Sequence, residues 1–125
     1  MAVVLITGGA RSGKSRRAEA RARAFAGRPV YIATAEALDA EMDDRIAKHR
    51  ARRGNGWIER EAPLDLVRAL AETDGGGARL VDCLTLWLSN LLHAGRDWSH
   101  EAALLATALG RAPPESARIL RIMPT

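Results

Sequence analysis

The chain has little cysteine, few aromatic residues and no long apolar run, and each absence excludes something. Of its 125 residues one is cysteine, Cys83, so an internal disulfide framework is ruled out. Aromatic residues make up 4%. The arginine-rich stretch Arg16, Arg17, Arg21, Arg23 and Arg28 contains only Phe25, so the stacking residues of a single-strand nucleic-acid platform are missing there. The formal net charge is +4, an excess too small to argue for nucleic acid. No stretch approaches the about 18 apolar residues of a membrane span. The opening run Met1–Ile6 is too short for a signal core and lacks a basic flank, so the expected address is the cytoplasm. What remains, 47% hydrophobic and 27% charged residues, is enough for one domain with a packed core.

Short apolar runs alternate with helical patterns. Val3–Ile6 is β-branched and bounded by Thr7-Gly8-Gly9, which reads as a buried strand. Residues 14–26 favour helix, with Gly27 as the stop and Pro29 beyond it. Val30–Ala33 reads as a second strand, and residues 38–53 as a helix ended by Gly54-Asn55-Gly56. Trp57-Ile58 suggests a brief third strand, Leu64–Ala71 a short helix, and Arg79–Asp82 a strand ending in a carboxylate. Leu84–His93 and Glu101–Leu109 read as helices, the second with Ser99 as its expected N-cap. Trp57, Trp87 and Trp98 read as packing residues, and Leu84, Trp87, Leu88, Leu91 and Leu92 form one apolar stripe, suited to a core or partly to a subunit contact. His93 and His100 read as surface residues. The expected fold is α/β: a parallel sheet with flanking helices.

Residues 8–15 read Gly8-Gly9-Ala10-Arg11-Ser12-Gly13-Lys14-Ser15, a full match to G-x-x-x-x-G-K-[ST]. Average composition yields such a match in about one chain of this length in a few hundred, and here it lies between a predicted strand and a predicted helix. The glycines allow a tight turn whose N–H groups converge on an anion, and the following helix adds its N-terminal dipole. Lys14 is suited to the β and γ phosphates and the Ser15 hydroxyl to Mg²⁺. Asp82, closing an apolar strand, is the expected second metal partner, although an Asp there also suits a turn or a helix cap.

A second constellation is a histidine among arginines. Arg45, His49 and Arg53 share one helix face. A neutral imidazole is a competent nucleophile, and neighbouring guanidinium groups can hold phosphates. The same residues also suit a solvated basic helix end beside the C-terminal dipole.

Taken together these pieces resemble the bifunctional adenosylcobinamide kinase/adenosylcobinamide-phosphate guanylyltransferase family of cobalamin synthesis. The resemblance is carried by Ile6–Arg16, by Tyr31-Ile32-Ala33-Thr34-Ala35, by Asp39–Met42 with Arg45-Ile46 and Lys48-His49, and by Leu80–Leu92, in matching order and spacing. It implies a P-loop NTPase-like fold. It also implies that His49 takes GMP from GTP and passes it to adenosylcobinamide phosphate, after a kinase step using ATP or GTP. Gly8, Gly9, Ala10, Arg11, Ser12, Gly13, Lys14 and Ser15 would hold the triphosphate. Ala33, Thr34, Ala35, Arg50, Ala51, Arg52, Arg53, Glu61 and Asp82 would line the nucleotide site. Lys14 and His49 would act in catalysis and Ser15 and Asp82 would ligate Mg²⁺. Corrinoid and nucleotide small molecules are the implied partners, with no nucleic acid and no membrane span, and a homotrimer is the implied assembly.

The resemblance covers residues 1–110 as a nucleotide-binding domain. The tail, residues 111–125, does not match, so the sheet is expected to be incomplete at the C-terminus, as in a truncated or frame-shifted member. Ala117–Met123 offers one substitute strand, with Arg118 and Arg121 ill suited to full burial. A non-catalytic nucleotide-binding remnant, a kinase of another small molecule and, more remotely, a basic RNA-binding module stay open at this point.

Overall fold

Parallel strands need crossover connections, and the chain supplies a helix for each of the first three. A computed structural model describes residues 2–6, 13–36, 39–74, 77–110 and 117–121; for Lys14, Ser15 and the first and last strands it describes the backbone alone. In chain order the elements are β1 (Ala2–Ile6), α1 (Lys14–Arg23), β2 (Val30–Ala33), α2 (Ala40–Arg53), β3 (Ile58–Glu61), α3 (Leu66–Glu72), β4 (Arg79–Val81), α4 (Leu84–His93), α5 (Trp98–Gly110) and β5 (Ala117–Arg121). The five strands form one sheet in the order β1-β5-β4-β2-β3, with every pairing parallel. Ala117–Arg121 therefore runs between β1 and β4, with Ile119 opposite Val4 on one side and Leu80 on the other.

Strand alternation divides the core between the two faces. Val30, Ile32 and Val81 pack with Leu66, Leu70, Trp87, Leu91 and Leu105, which brings α3, α4 and α5 onto one face. Tyr31 and Leu80 pack with Ala18, Ala22 and Trp57, which puts α1 on the other. Small alanines on α1 let its backbone approach the sheet closely. Of the apolar stripe on α4, Trp87 and Leu91 are buried, Leu84 and Leu88 pack against the core, and Leu92 is exposed.

Local chemistry explains most of the boundaries. Gly13 has φ of 82°, the left-handed conformation that a side chain disfavours, immediately before α1 begins. That helix ends at Arg23, short of Gly27. Helix α2 starts later than its apolar spacing suggests, because Asp39 caps it by accepting from the Met42 N–H at 2.7 Å. Helix α5 starts at Trp98, one residue before Ser99, and Asp97 takes the capping role by accepting from the His100 N–H at 3.1 Å. Strand β3 extends through Glu61, further than its sequence signals. Ile58, Glu59 and Glu61 are exposed, and the charges suit an edge position that must resist further pairing.

Gly77 marks where two segments nearly touch. A methyl group there would be driven into the Arg28 carbonyl. Gly77→Ala is expected to destabilise the protein by about 2 kcal/mol through this clash. Urea unfolding followed by circular dichroism checks it, and a wild-type midpoint would refute the close approach. Among the described residues no helix is long and apolar enough to cross a membrane.

Candidate functional site

Open parallel sheets bind ligands outside the carboxyl ends of their strands. Here β2, β3 and β4 end at Ala33, Glu61 and Val81, and a cavity of about 410 Å³ lies at those ends, between the sheet and α2. Its floor includes Tyr31, Ala33, Ala35, Glu59, Glu61, Asp82 and Cys83. Its outer wall is the face of α2 carrying Met42, Arg45, Ile46, His49, Arg50 and Arg53. The helix face that sequence spacing assigns to Arg45, His49 and Arg53 is thus the face turned to the cavity.

The floor is set by a corner of hydrogen bonds. Thr34 is fully buried and its Oγ1 donates to the Cys83 carbonyl at 2.9 Å, tying the end of β2 to the end of β4. Asn90 of α4 donates to the Thr34 carbonyl at 2.8 Å and to the Pro63 carbonyl at 3.0 Å, gathering the exits of β2 and β3. Cys83 caps α4, its Sγ accepting from the Leu86 N–H at 3.3 Å. Asp82 therefore leaves β4 at a fixed corner, its own N–H donating to the Ile32 carbonyl at 3.0 Å.

Helix α2 is held differently. Met42 and Ile46 on its cavity side are only half-buried, and Arg53 is its only buried residue. The Arg53 guanidinium lies 3.5 Å above the Tyr31 ring, and its Nη2 donates to Glu59 at 2.8 Å. Arg50 Nε donates to the other oxygen of Glu59 at 2.7 Å. Arg52 turns instead to the buried Glu19 of α1 at 2.9 Å. Arg23 donates to the Arg53 carbonyl, covering an otherwise orphan acceptor at the helix end. The Tyr31 ring meets Trp57 edge-on at 6.0 Å, and Arg23 lies 5.4 Å from the Trp57 ring. The last turn of α2 is therefore fastened by guanidinium groups, with the Arg53–Tyr31 contact partly desolvated and correspondingly strong.

Of the residues singled out in the sequence, Ala33, Ala35, His49, Arg50, Arg53, Glu61 and Asp82 come together around this cavity. Thr34 and Arg52 have their side chains committed elsewhere, and Ala51 is not on the cavity wall. Gly8, Gly9, Ala10, Arg11 and Ser12 lie outside the described residues, as do the side chains of Lys14 and Ser15. Tyr31, Glu59 and Arg60 also line the cavity. Of these, Glu59 and Arg60 leave no visible signal in the sequence, because Ile58–Glu61 does not read as a strand beyond its first residue.

Among the described residues no three carboxylate, thiol or imidazole groups gather into a metal cage. The carboxylates of Glu59, Glu61 and Asp82 line the cavity, and Glu59 is paired with Arg50 and Arg53. Mg²⁺ asks for no more than one or two protein oxygens, since it usually keeps water and phosphate ligands beside them.

Comparison with known proteins bears on the same arrangement. The family described as cobinamide kinase / cobinamide phosphate guanyltransferase matches residues 4–119. The chain belongs to this family. It is 60% identical over 90 residues to the bifunctional adenosylcobalamin biosynthesis protein CobP of Pseudomonas aeruginosa, covering 70% of this chain and 51% of that protein. It is 43% identical over 93 residues to the bifunctional adenosylcobalamin biosynthesis protein CobU of Escherichia coli, covering 72% and 50%. The Salmonella typhimurium protein of the same description is 42% identical over 93 residues, covering 74% and 51%. The chain spans about half the length of these curated relatives.

Proposed function

We propose that this protein transfers GMP from GTP, through a phosphoramidate on His49, to the phosphate of adenosylcobinamide phosphate, and phosphorylates adenosylcobinamide beforehand. The observation that carries the reading is one cavity, at the carboxyl ends of β2, β3 and β4, walled by the helix face bearing His49 and floored by Glu61 and Asp82. Family membership supports the chemistry.

In the first step a nitrogen lone pair of neutral His49 attacks the α-phosphorus of GTP. A P–N bond forms, the α–β phosphoanhydride P–O bond breaks, pyrophosphate leaves, and the imidazole gives up its proton. In the second step a phosphate oxygen of the acceptor attacks the same phosphorus, the P–N bond breaks, and the imidazole is regenerated on protonation. In the kinase step the adenosylcobinamide hydroxyl takes the γ-phosphoryl group of ATP or GTP and releases its proton and the nucleoside diphosphate.

The protein's contribution is positioning and charge stabilisation. The turn from Gly8 to Ser15 with Lys14 would hold the polyphosphate, and the segment from Arg50 to Arg53 would border the nucleotide beside His49. Ser15 and Asp82 would hold Mg²⁺, which when bound neutralises phosphate charge. Trapping with GTP labelled in its α-phosphate tests the reading. Folded wild-type protein is expected to carry an acid-labile, base-stable label, and Lys14→Ala is expected to lose both label and GTP binding. Folded wild-type protein that binds GTP without acquiring label would overturn guanylyl transfer.

A further inference from the structure

Helix α2 carries His49 into the cavity on a face whose apolar side chains, Met42 and Ile46, are only half-buried and line the cavity instead of joining the core. Something else must fix the rotation of the helix about its axis, because a small rotation carries an imidazole away from in-line attack. Besides the Arg23 bond to the Arg53 carbonyl, the attachments made by side chains of its last turn are Arg53 on the Tyr31 ring, Arg52 on Glu19, and Arg50 with Arg53 on Glu59. The first two are single contacts. The third is a fork: one carboxylate on β3 receives guanidinium groups from two positions three residues apart on the helix, at 2.7 and 2.8 Å through its two oxygens. Two bonds to one rigid group fix an angle that a single bond leaves free. Arg50 is the residue next to His49, so the angle set there is transmitted across one peptide unit.

We propose that Glu59 is a positioning residue, whose carboxylate grips Arg50 and Arg53 together and so sets the angle at which His49 faces the cavity. Its effect on guanylylation rests on the reading of His49 given above; its effect on the imidazole does not. The arrangement assigns the two arginines unequal duties. Arg53 is buried, stacked and paired, and serves attachment. Arg50 has an exposed side chain, and its remaining guanidinium donors are the ones suited to turn toward a phosphate.

The test uses the full chain with Glu59→Gln and Glu59→Ala, and Asp44→Asn as control. The control breaks an exposed pair with Lys48 on the same helix, which contributes little. The first readout is the NMR spectrum of the His49 ring, assigned by its loss in His49→Gln. Wild type and Asp44→Asn are expected to show the same resonances. Glu59→Ala is expected to shift or split them at an unchanged far-ultraviolet spectrum, with Glu59→Gln between, since its amide offers one acceptor oxygen where the carboxylate offers two. The second readout is the label rate at saturating GTP. It is expected to fall about ten- to a hundredfold in Glu59→Ala, as for a sub-ångström to ångström misplacement of a reacting group, while GTP affinity changes less than threefold. That split separates positioning from general damage. Ring resonances in Glu59→Ala superimposable on wild type would overturn the proposal whether or not the wild type becomes labelled. A wild-type label rate in the folded variant would overturn it equally. Should Glu59→Ala fail to fold, Glu59→Gln carries both readouts on the same terms.

Discussion

Replacing His49 by glutamine is expected to lower phosphoramidate formation by at least about a thousandfold, while GTP still binds. Glutamine fills a similar volume and keeps hydrogen-bonding capacity, but its amide nitrogen has no available lone pair for phosphorus. The change is made on a helix face that borders solvent, and His49 is only partly buried, so the fold should lose no more than about 0.5 kcal/mol. Lys14→Ala separates the two halves of the site from the other side, removing the cation that the sequence offers to the β and γ phosphates. Loss of label with retained binding in one variant, and loss of both in the other, would assign covalent chemistry to α2 and phosphate anchoring to the β1–α1 junction. Label persisting in folded His49→Gln at the wild-type rate would mean that another side chain is the nucleophile. The measurement is filter-retained label over time, with GTP affinity followed by calorimetry on the same preparations.

How far the sequence discloses this site depends on the kind of signal each part leaves. The strands β1, β2 and β4 are short apolar runs rich in branched residues, and such runs are visible because both faces of a parallel strand are buried. The cavity-facing side of α2 is visible because residues four apart return to the same face, which predicts Arg45, His49 and Arg53 together. Strand β3 is nearly invisible. Beyond Ile58 it reads Glu59-Arg60-Glu61, and these residues are extended because β2 supplies backbone partners, as in the pairing of Ile32 with Arg60. Without β3 as a strand, Glu59 has no place in the site, and the fork it makes with α2 cannot be foreseen. The run from Arg50 to Arg53 hides a second distinction. Neighbouring helix residues point about 100° apart, so Arg52 reaches Glu19 while Arg53 lies on Tyr31. Nothing in a row of like charges shows which member will be stacked, paired or left to a ligand. The caps of α2 and α5 make the same point: Asp39 and Asp97 act through one side-chain oxygen each, and such a contact outweighs apolar spacing in deciding where the first turn forms.

Trp87→Ala is expected to cost about 3–5 kcal/mol, a large part of the about 5–15 kcal/mol that holds a domain of this size. The side chain is 1% exposed and belongs to the core cluster that joins α3, α4 and α5 to the sheet. Its indole Nε1 also donates to the Leu64 carbonyl at 2.8 Å. The variant therefore leaves a void and an unpaired carbonyl together. Thermal unfolding followed by circular dichroism should show the midpoint falling by on the order of 10–20 °C. Trp87→Phe keeps most of the volume and should lose about 1–2 kcal/mol, mainly the hydrogen bond and the remaining gap. Trp98→Ala is the contrasting case: that ring is 50% exposed, and its loss should cost under about 1 kcal/mol. Similar losses at the two tryptophans would contradict the assignment of Trp87 to the core. The consequence reaches the site, because Trp87 is one turn into the helix that starts at the Asp82–Cys83 corner, and its N–H donates to the Cys83 carbonyl at 3.2 Å. That carbonyl also receives the Thr34 hydroxyl. A variant that stays folded but lets α4 settle into the void should therefore weaken GTP binding before it abolishes the fold, through displacement of Asp82 and of the Thr34 turn.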